Sequence, residues 1–363
     1  VGRAGIIAAA AVEHWRYRPD RPLTNTGVTG LDIVVVTLTA QSGLTGLGFG
    51  LVFAEDDAAA TAARVLCDRY VTGVALEHPI ALWRKIAGSF RRTGRGPYAS
   101  ALAAIDIAAW DIYAKALDVP LSVAMGGAPK RAPVFRTWGF KPQQDPAEAA
   151  EIAGRFLDGG ARGVKIRADG TPHDRIVLQA VAERLDGRCD LMADANQRPT
   201  AAGALRLLQF AAEAGCRFVE EPLPVSNYDG FAALARTTPV PIATGQNVRS
   251  AVEAATYVRN GWCSVMQPDF TCLGGLTECL RVAQFAEHCN VEISPHYLPA
   301  LFVQLAGVVP NLTWLDDFRT IEVLLADPPQ IDADGMIAAP DRAGHGLAFR
   351  DDARSMYLLN LVR

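Results

Sequence analysis

The chain has 363 residues, half of them hydrophobic and a fifth charged, which suits a globular protein of more than one packed unit and excludes a disordered one. A formal net charge of −4 gives no field that would hold a polyanion; the tightest basic group, Arg91, Arg92 and Arg95, is short, so nucleic acid is not an expected partner. No apolar run reaches the ~18 residues that span a bilayer, and seven dispersed cysteines without a CxxC pair suit buried free thiols, Cys272 and Cys279 among them, in a reducing compartment.

No signal-peptide pattern is read at the start. The sequence opens on Val1 rather than Met, so the expectation is a residue or tag lost there and a cytoplasmic protein. Leu31 to Thr39 is β-branched and reads as a strand; Ser42-Gly43 supplies a turn, and Leu44 to Phe53 reads as its partner. Helices are expected over Asp56 to Tyr70 and Tyr98 to Leu117, the latter with Leu102, Ile105, Ile107, Trp110, Ile112 and Tyr113 as its apolar positions. Strands followed by helices make an α+β unit, with Met125-Gly126-Gly127-Ala128-Pro129 as its linker.

From about Ala132 the rhythm changes to short apolar runs alternating with Ala-rich helical segments. The runs are Val134–Arg136, Gly163–Ile166, Asp190–Ala193, Phe218–Val219, Pro241–Ala243, Ser264–Gln267, Val291–Ile293 and Thr313–Leu315. Helices such as Pro146–Leu157, Asp174–Leu185, Ala201–Ala214, Ala251–Arg259 and Thr277–His288 lie between them. This alternation implies a parallel (β/α) barrel. After Ala326 it stops, and the last segment is expected to return to the N-terminal unit.

Polar residues stand at the ends of the runs: Lys165, Asp194, Glu220, Gln246, Asp269 and His296, at intervals of 23–29 residues, about one βα unit each. Residues at the C-terminal ends of barrel strands converge on one mouth, where active sites form. Lys165 and Arg167 are two apart and share a side, as do Asp194 and Asn196. Glu220 and Glu221 are adjacent, so only one can face the mouth, and the pattern leaves open which. Acids from neighbouring strands without Cys or His make a hard-oxygen site of the Mg²⁺ kind. His296 could pair with Asp269 as an oriented dyad for acid/base work, whereas His14, His78, His173, His288 and His345 read as structural.

At these positions the chain resembles the mandelate racemase branch of the enolase superfamily, in the mandelate racemase/muconate lactonizing enzyme family. The resemblance is carried by Lys165-Ile166-Arg167, Asp194-Ala195-Asn196, Glu220-Glu221-Pro222, Thr244-Gly245-Gln246-Asn247, Gln267-Pro268-Asp269 and Ser294-Pro295-His296. Ala104 to Asp111, Pro120-Leu121, Met125-Gly126-Gly127 and Ala343 to Leu347 resemble its capping-domain signatures. It implies an α/β fold: a modified TIM barrel, (β/α)7β, over residues 129–326, with an α+β capping domain over 1–128 to which 327–363 return. It implies Asp194, Glu220 and Gln246 as Mg²⁺ ligands, with Glu221 pointing away. Lys165 and Arg167 take the place of its Lys-x-Lys pair, Asp269 and His296 of its dyad, and Asp316, or else Asp317, of the acid that meets the substrate carboxylate. Asn196 and the cap-loop residues Arg16 and Arg18, within Arg16 to Arg21, are candidates for substrate contact, as is the segment around Phe49–Phe53. A homo-oligomer is the expected assembly.

Two positions depart from the family. Gln246 stands where a Glu usually binds the metal, so the site loses a negative charge and metal affinity should fall unless substrate oxygens help. Arg167 stands where a catalytic Lys often does; Arg is a poor proton acceptor, which moves the base role to His296 or Lys165 and leaves Arg167 as a clamp on an anion. The expected reaction is abstraction of the proton α to a carboxylate, leading to dehydration of a sugar acid to a 2-keto-3-deoxy acid. Racemisation or epimerisation, lactone cycloisomerisation, and a non-catalytic barrel that binds a small acid, favoured by Gln246 alone, are the other readings.

Overall fold

The computed structural model describes residues 4–19, 29–92, 94–318 and 321–362. The N-terminal part is built on an antiparallel sheet of β1 (Ile7–Tyr17), β2 (Leu31–Ala40) and β3 (Thr45–Val52). Helices Ala58–Tyr70, Pro79–Gly88 and Tyr98–Ala116 follow. The last of these is apolar almost all round and buried along nearly its whole length, as a helix must be when both sides are covered. Its approach to the sheet depends on Gly46, Gly48 and Gly50, which share one face of β3. A Cβ at these glycines would lie 2.3, 2.1 and 2.1 Å from the carbonyl oxygens of Ala108, Ala104 and Ser100, one helical turn apart.

Two features of this part were not visible as patterns. The first is β1 itself, whose Ala-rich sequence has little intrinsic strand preference; pairing with β2 from Ile7 to Tyr17 makes it a strand. Arg16 and Tyr17 therefore end a strand rather than occupy a loop, while Asp20 and Arg21 of the expected loop lie outside the described residues. The second is the helix Pro79–Gly88, begun by His78, whose ring accepts the Ile80 amide.

The remainder forms a ring of short parallel strands: β4 (Arg131–Arg136), β5 (Gly163–Arg167), β6 (Asp190–Asp194), β7 (Val219–Glu220), β8 (Ile242–Thr244), β9 (Val265–Met266), β10 (Glu292–Ile293) and β11 (Leu315–Asp317). They pair in the order β10-β9-β8-β7-β6-β5-β4-β11. A parallel bridge between Ile293 and Leu312, with the Thr313 amide donating to the Ile293 carbonyl at 2.9 Å, closes the ring. This is the (β/α) barrel expected from the alternation. Its lower interior is filled by Phe135, Met192, Phe218, Ala243, Val265 and Trp314, a packed layer rather than a channel. A larger apolar shell lies between strands and helices.

The last segment divides its contacts. β12 (Met336–Ala338) pairs with β4 of the barrel, whereas β13 (Leu358–Leu361) pairs with β1 at the edge of the N-terminal sheet. No helix among the described residues is long and apolar enough to cross a membrane.

Candidate active site

Lys165, Arg167, Asp194, Glu220, Gln246, Asp269, His296 and Asp316 all stand at the C-terminal ends of the barrel strands. Lys165, on β5, lies above the Phe135 ring, 4.9 Å from its centroid, and is 2% exposed. Its ammonium donates to Glu220 Oε2 at 2.6 Å and to Asp316 Oδ2 at 3.1 Å, with Asp194 Oδ2 4.0 Å away. Burial opposes the charge on Lys165, but Asp316, Glu220 and Asp194 outweigh it and hold its pKa above the ordinary lysine value. With no cation on Glu220 and Asp194, these acids favour the charged form of Lys165. Arg167, two residues on, donates to Asp194 Oδ2, whose other oxygen accepts the Asn196 amide at 2.8 Å.

Opposite this charged side stands the dyad. Asp269 begins the short helix Phe270–Leu273, its Oδ1 accepting the Thr271 amide at 2.7 Å and the Cys272 amide at 3.2 Å. Its Oδ2 lies 2.8 Å from His296 Nδ1. With Nδ1–H given to the carboxylate, Nε2 of the neutral ring is the nitrogen that can accept a proton. Burial lowers the His296 pKa, but the Asp269 hydrogen bond and charge, with Asp316 and Glu220 behind them, leave it above the ordinary histidine value.

The geometry resolves both adjacent acid pairs. Glu220 faces Lys165, whereas Glu221 turns toward β8 and takes hydrogens from Gln197 Nε2, Gln246 Nε2 and Asn247 Nδ2 at 2.8, 2.9 and 2.8 Å. Glu221 does so with φ at 41°, a left-handed conformation that breaks the strand alternation. Its burial pushes its carboxyl up to about 7 against the pull of the Gln246 bond, with the Glu220 charge adding to the rise and the Asn247 bond opposing it. On β11, Asp316 faces Lys165 and Asp317 pairs with Arg136 at 2.6 Å. Gln267, two residues before Asp269 and on the same side by strand alternation, received no role from the sequence. Its Nε2 donates to Glu220 Oε2 at 2.6 Å.

The expected substrate contacts of the cap are placed differently, whereas Asn196 stays beside Asp194. Arg16 Nε and His14 Nε2 both lie 2.8 Å from Asp32 Oδ1, so Arg16 is held within the sheet by a buried acid. Arg18 pairs with Glu55 at 3.3 Å on the surface, and Asn196 adjoins Asp194 through its backbone. Phe49 is fully buried against Phe270 and Phe349.

A divalent cation needs several oxygen donors converging on one point. Among the described residues no three His, Cys, Asp or Glu side chains are grouped to hold one. Asp194, Glu220 and Gln246, on successive strand ends, offer two carboxylates and an amide. Among the described residues, Glu220 Oε1 and Gln246 Oε1 are buried acceptors with no partner, as are Gln267 Oε1 and Asp316 Oδ1. Unmet buried acceptors are costly, and a hard cation with oxygen ligands answers that need. The residues fit Mg²⁺.

The sequence matches two family profiles: the N-terminal domain of mandelate racemase / muconate lactonizing enzyme over residues 6–126, and the enolase C-terminal domain-like family over residues 148–353. The chain belongs to the mandelate racemase/muconate lactonizing enzyme family of the enolase superfamily. Among its relatives, a 3,6-anhydro-alpha-L-galactonate cycloisomerase of Streptomyces coelicolor is 30% identical over 89% of this chain and 91% of its own. A racemase from the same organism, crystallised with magnesium, superposes with a TM-score of 0.90 at 27% identity, covering 98% of this chain and 100% of that one. L-Talarate dehydratase from Polaromonas sp. JS666, complexed with Mg and L-glucarate, gives 0.90 at 26% identity over 97% of each chain. This enzyme family thus includes dehydratases, cycloisomerases and racemases of small acids.

Proposed function

We propose that this member of the family is a Mg²⁺-dependent acid-sugar dehydratase, taking the proton α to the carboxylate of an aldonate or aldarate and releasing a 2-keto-3-deoxy acid. One observation carries the reading: a single oriented base, His296 on Asp269, faces a side where Lys165 is tied to Glu220 and Asp316, and where an arginine, Arg167, is tied to Asp194. β5 and β10 lie across the ring from one another, so Lys165 and His296 address a bound acid from different sides.

Held by Asp194, Glu220 and Gln246, Mg²⁺ would supply positive charge beside the substrate carboxylate, where negative charge develops. Lys165 spends two of its three hydrogens on Glu220 and Asp316, leaving the third for a carboxylate oxygen. A preorganised donor of this kind is worth roughly 3–4 kcal/mol in the transition state. His296 Nε2 takes the proton from C2, and the C–H electron pair moves into the carboxylate. As that pair returns to form the C2–C3 double bond, the β-hydroxyl leaves with the proton carried by His296. The resulting enol ketonises by gaining a proton at C3.

Incubation with Mg²⁺ and a panel of aldonates and aldarates in D₂O, followed by proton NMR, tests this. New C3 methylene signals support dehydration; exchange at C2 without elimination refutes it in favour of a racemase or epimerase. Cycloisomerisation of a lactone or anhydro acid is the second reading, favoured by the identity to the Streptomyces coelicolor cycloisomerase. Including such substrates makes it visible in the same spectra.

A further inference from the structure

Gln246 differs from a carboxylate in one respect that matters for a cation: only one end of its amide can bind one. Turned over, the same side chain would present an NH₂ group to the metal and abolish the site. The protein must therefore fix the amide's orientation. The structure shows what does so. Gln246 Nε2 donates to Glu221 Oε2 at 2.9 Å, and this leaves Gln246 Oε1 buried and without a partner among the described residues.

We propose that Glu221 is a positioning residue for the metal site, holding Gln246 with its oxygen toward the cation. This rests on the assignment of Gln246 as a ligand in the proposed function. Three features of Glu221 suit the task. Its Oε2 accepts from three amide NH₂ groups at once, so the end of Gln246 that meets it is the NH₂ end. Gln197 and Asn247 donate to the same oxygen at 2.8 Å each, which fixes that oxygen in space. Gln197 is fixed in turn, its Oε1 accepting the Val225 amide at 3.0 Å. Finally, the left-handed backbone at Glu221, φ 41°, is what swings its side chain away from Glu220 and toward Gln246. Supporting groups that orient a ligand typically matter by about 10–100-fold in metal affinity.

A purely structural role for Glu221 would not depend on which residue stands at position 246. A Glu at position 246 has no donor end and needs no orientation, so the benefit of Glu221 should exist only when residue 246 is Gln. The experiment is a double-mutant cycle on the full chain, reading Mg²⁺ affinity by titration calorimetry with the metal alone and checking each fold by circular dichroism. Glu221→Gln, whose amide can offer its own NH₂ and let Gln246 turn, should weaken Mg²⁺ binding by about 10–100-fold. In a Gln246→Glu background the same change should cost nothing. Should Glu221→Gln not fold, Glu221→Asp keeps the charge, withdraws the oxygen by one methylene, and is expected to show the same background dependence. Unchanged affinity in the folded single variant, or an equal loss in both backgrounds, overturns the proposal. Metal affinities that follow the cycle in a protein that exchanges no α-proton would overturn the proposed function and leave this inference standing.

Discussion

Asp269→Asn separates the chemistry of the dyad from its structural duty. Asp269 uses its two oxygens differently: Oδ1 begins the helix Phe270–Leu273 and Oδ2 orients His296. Asn is as good a helix start as Asp, so Oδ1 keeps both backbone amides and the cost in stability should be about 1 kcal/mol or less. At the other position an NH₂ replaces a carboxylate oxygen. His296 Nδ1 must then accept rather than donate, which places the ring proton on Nε2 and removes the acceptor facing the substrate. The comparable change in a serine-protease triad costs roughly 10⁴-fold for the same tautomeric reason. A loss of about 10³–10⁴-fold is expected here, or about 4–5.5 kcal/mol of barrier.

The assay is the rate of C2 deuterium incorporation in D₂O with the substrate found by the panel, alongside thermal unfolding. A pH profile adds a second reading. His296 must be neutral to act as a base, so activity is present above its pKa and lost as pH falls through it. Asp269 raises that pKa; removing its charge lowers it, and the residual activity of the variant should persist to lower pH than that of the wild type. Exchange within tenfold of the wild type, or an acid limb that does not move, would refute the assignment of His296 as the oriented base.

Other perturbations test the surroundings. Lys165→Met leaves Glu220 and Asp316 buried without their cation, and should cost about 3–5 kcal/mol in urea unfolding, with Mg²⁺ restoring part of it. Asp106→Ala removes the acceptor of the Thr277 amide at 2.8 Å and hydroxyl at 2.6 Å; it should cost about 1–3 kcal/mol, read by the same unfolding curves. Gly275→Ala attacks the same junction, since a Cβ there would lie 2.4 Å from Asp106 Oδ2 on a backbone with φ of 114°. Arg167→Lys puts a group that can lose a proton across the ring from His296, and should let C2 configuration scramble, detectable as the epimer in the D₂O spectra.

Much of the barrel was legible because its signal repeats: an apolar run, a polar residue at its end, a helix, and the same again. The phase within each run was less legible. β7 is two residues long and β11 three, too short for alternation to say which of two adjacent acids faces inward. Glu221 then breaks alternation with a left-handed backbone, which a sequence does not announce for a non-glycine residue. Gln267 was visible, two residues before Asp269, yet carries no charge to draw attention. Arg16 was misplaced because β1 owes its strand to β2, and because the buried Asp32 that holds it lies on another strand.

The two departures from the family pattern act in the same electrostatic direction. Gln246 removes a negative charge from the proposed ligand set, and Arg167 keeps a positive one against Asp194 that no proton loss can switch off. Lys165 and Arg167 thus already hold Glu220 and Asp194, the two carboxylates proposed for Mg²⁺. A cation entering alone must compete with both. A substrate carboxylate changes the balance, because it gives Arg167 another anion and gives the metal oxygens that Gln246 does not supply in charge. Metal and substrate should therefore strengthen one another's binding, and by linkage the factor is the same from either side. A site with Glu and Lys at these positions has less need of that coupling, so Mg²⁺ affinity here should rise more sharply when substrate is added.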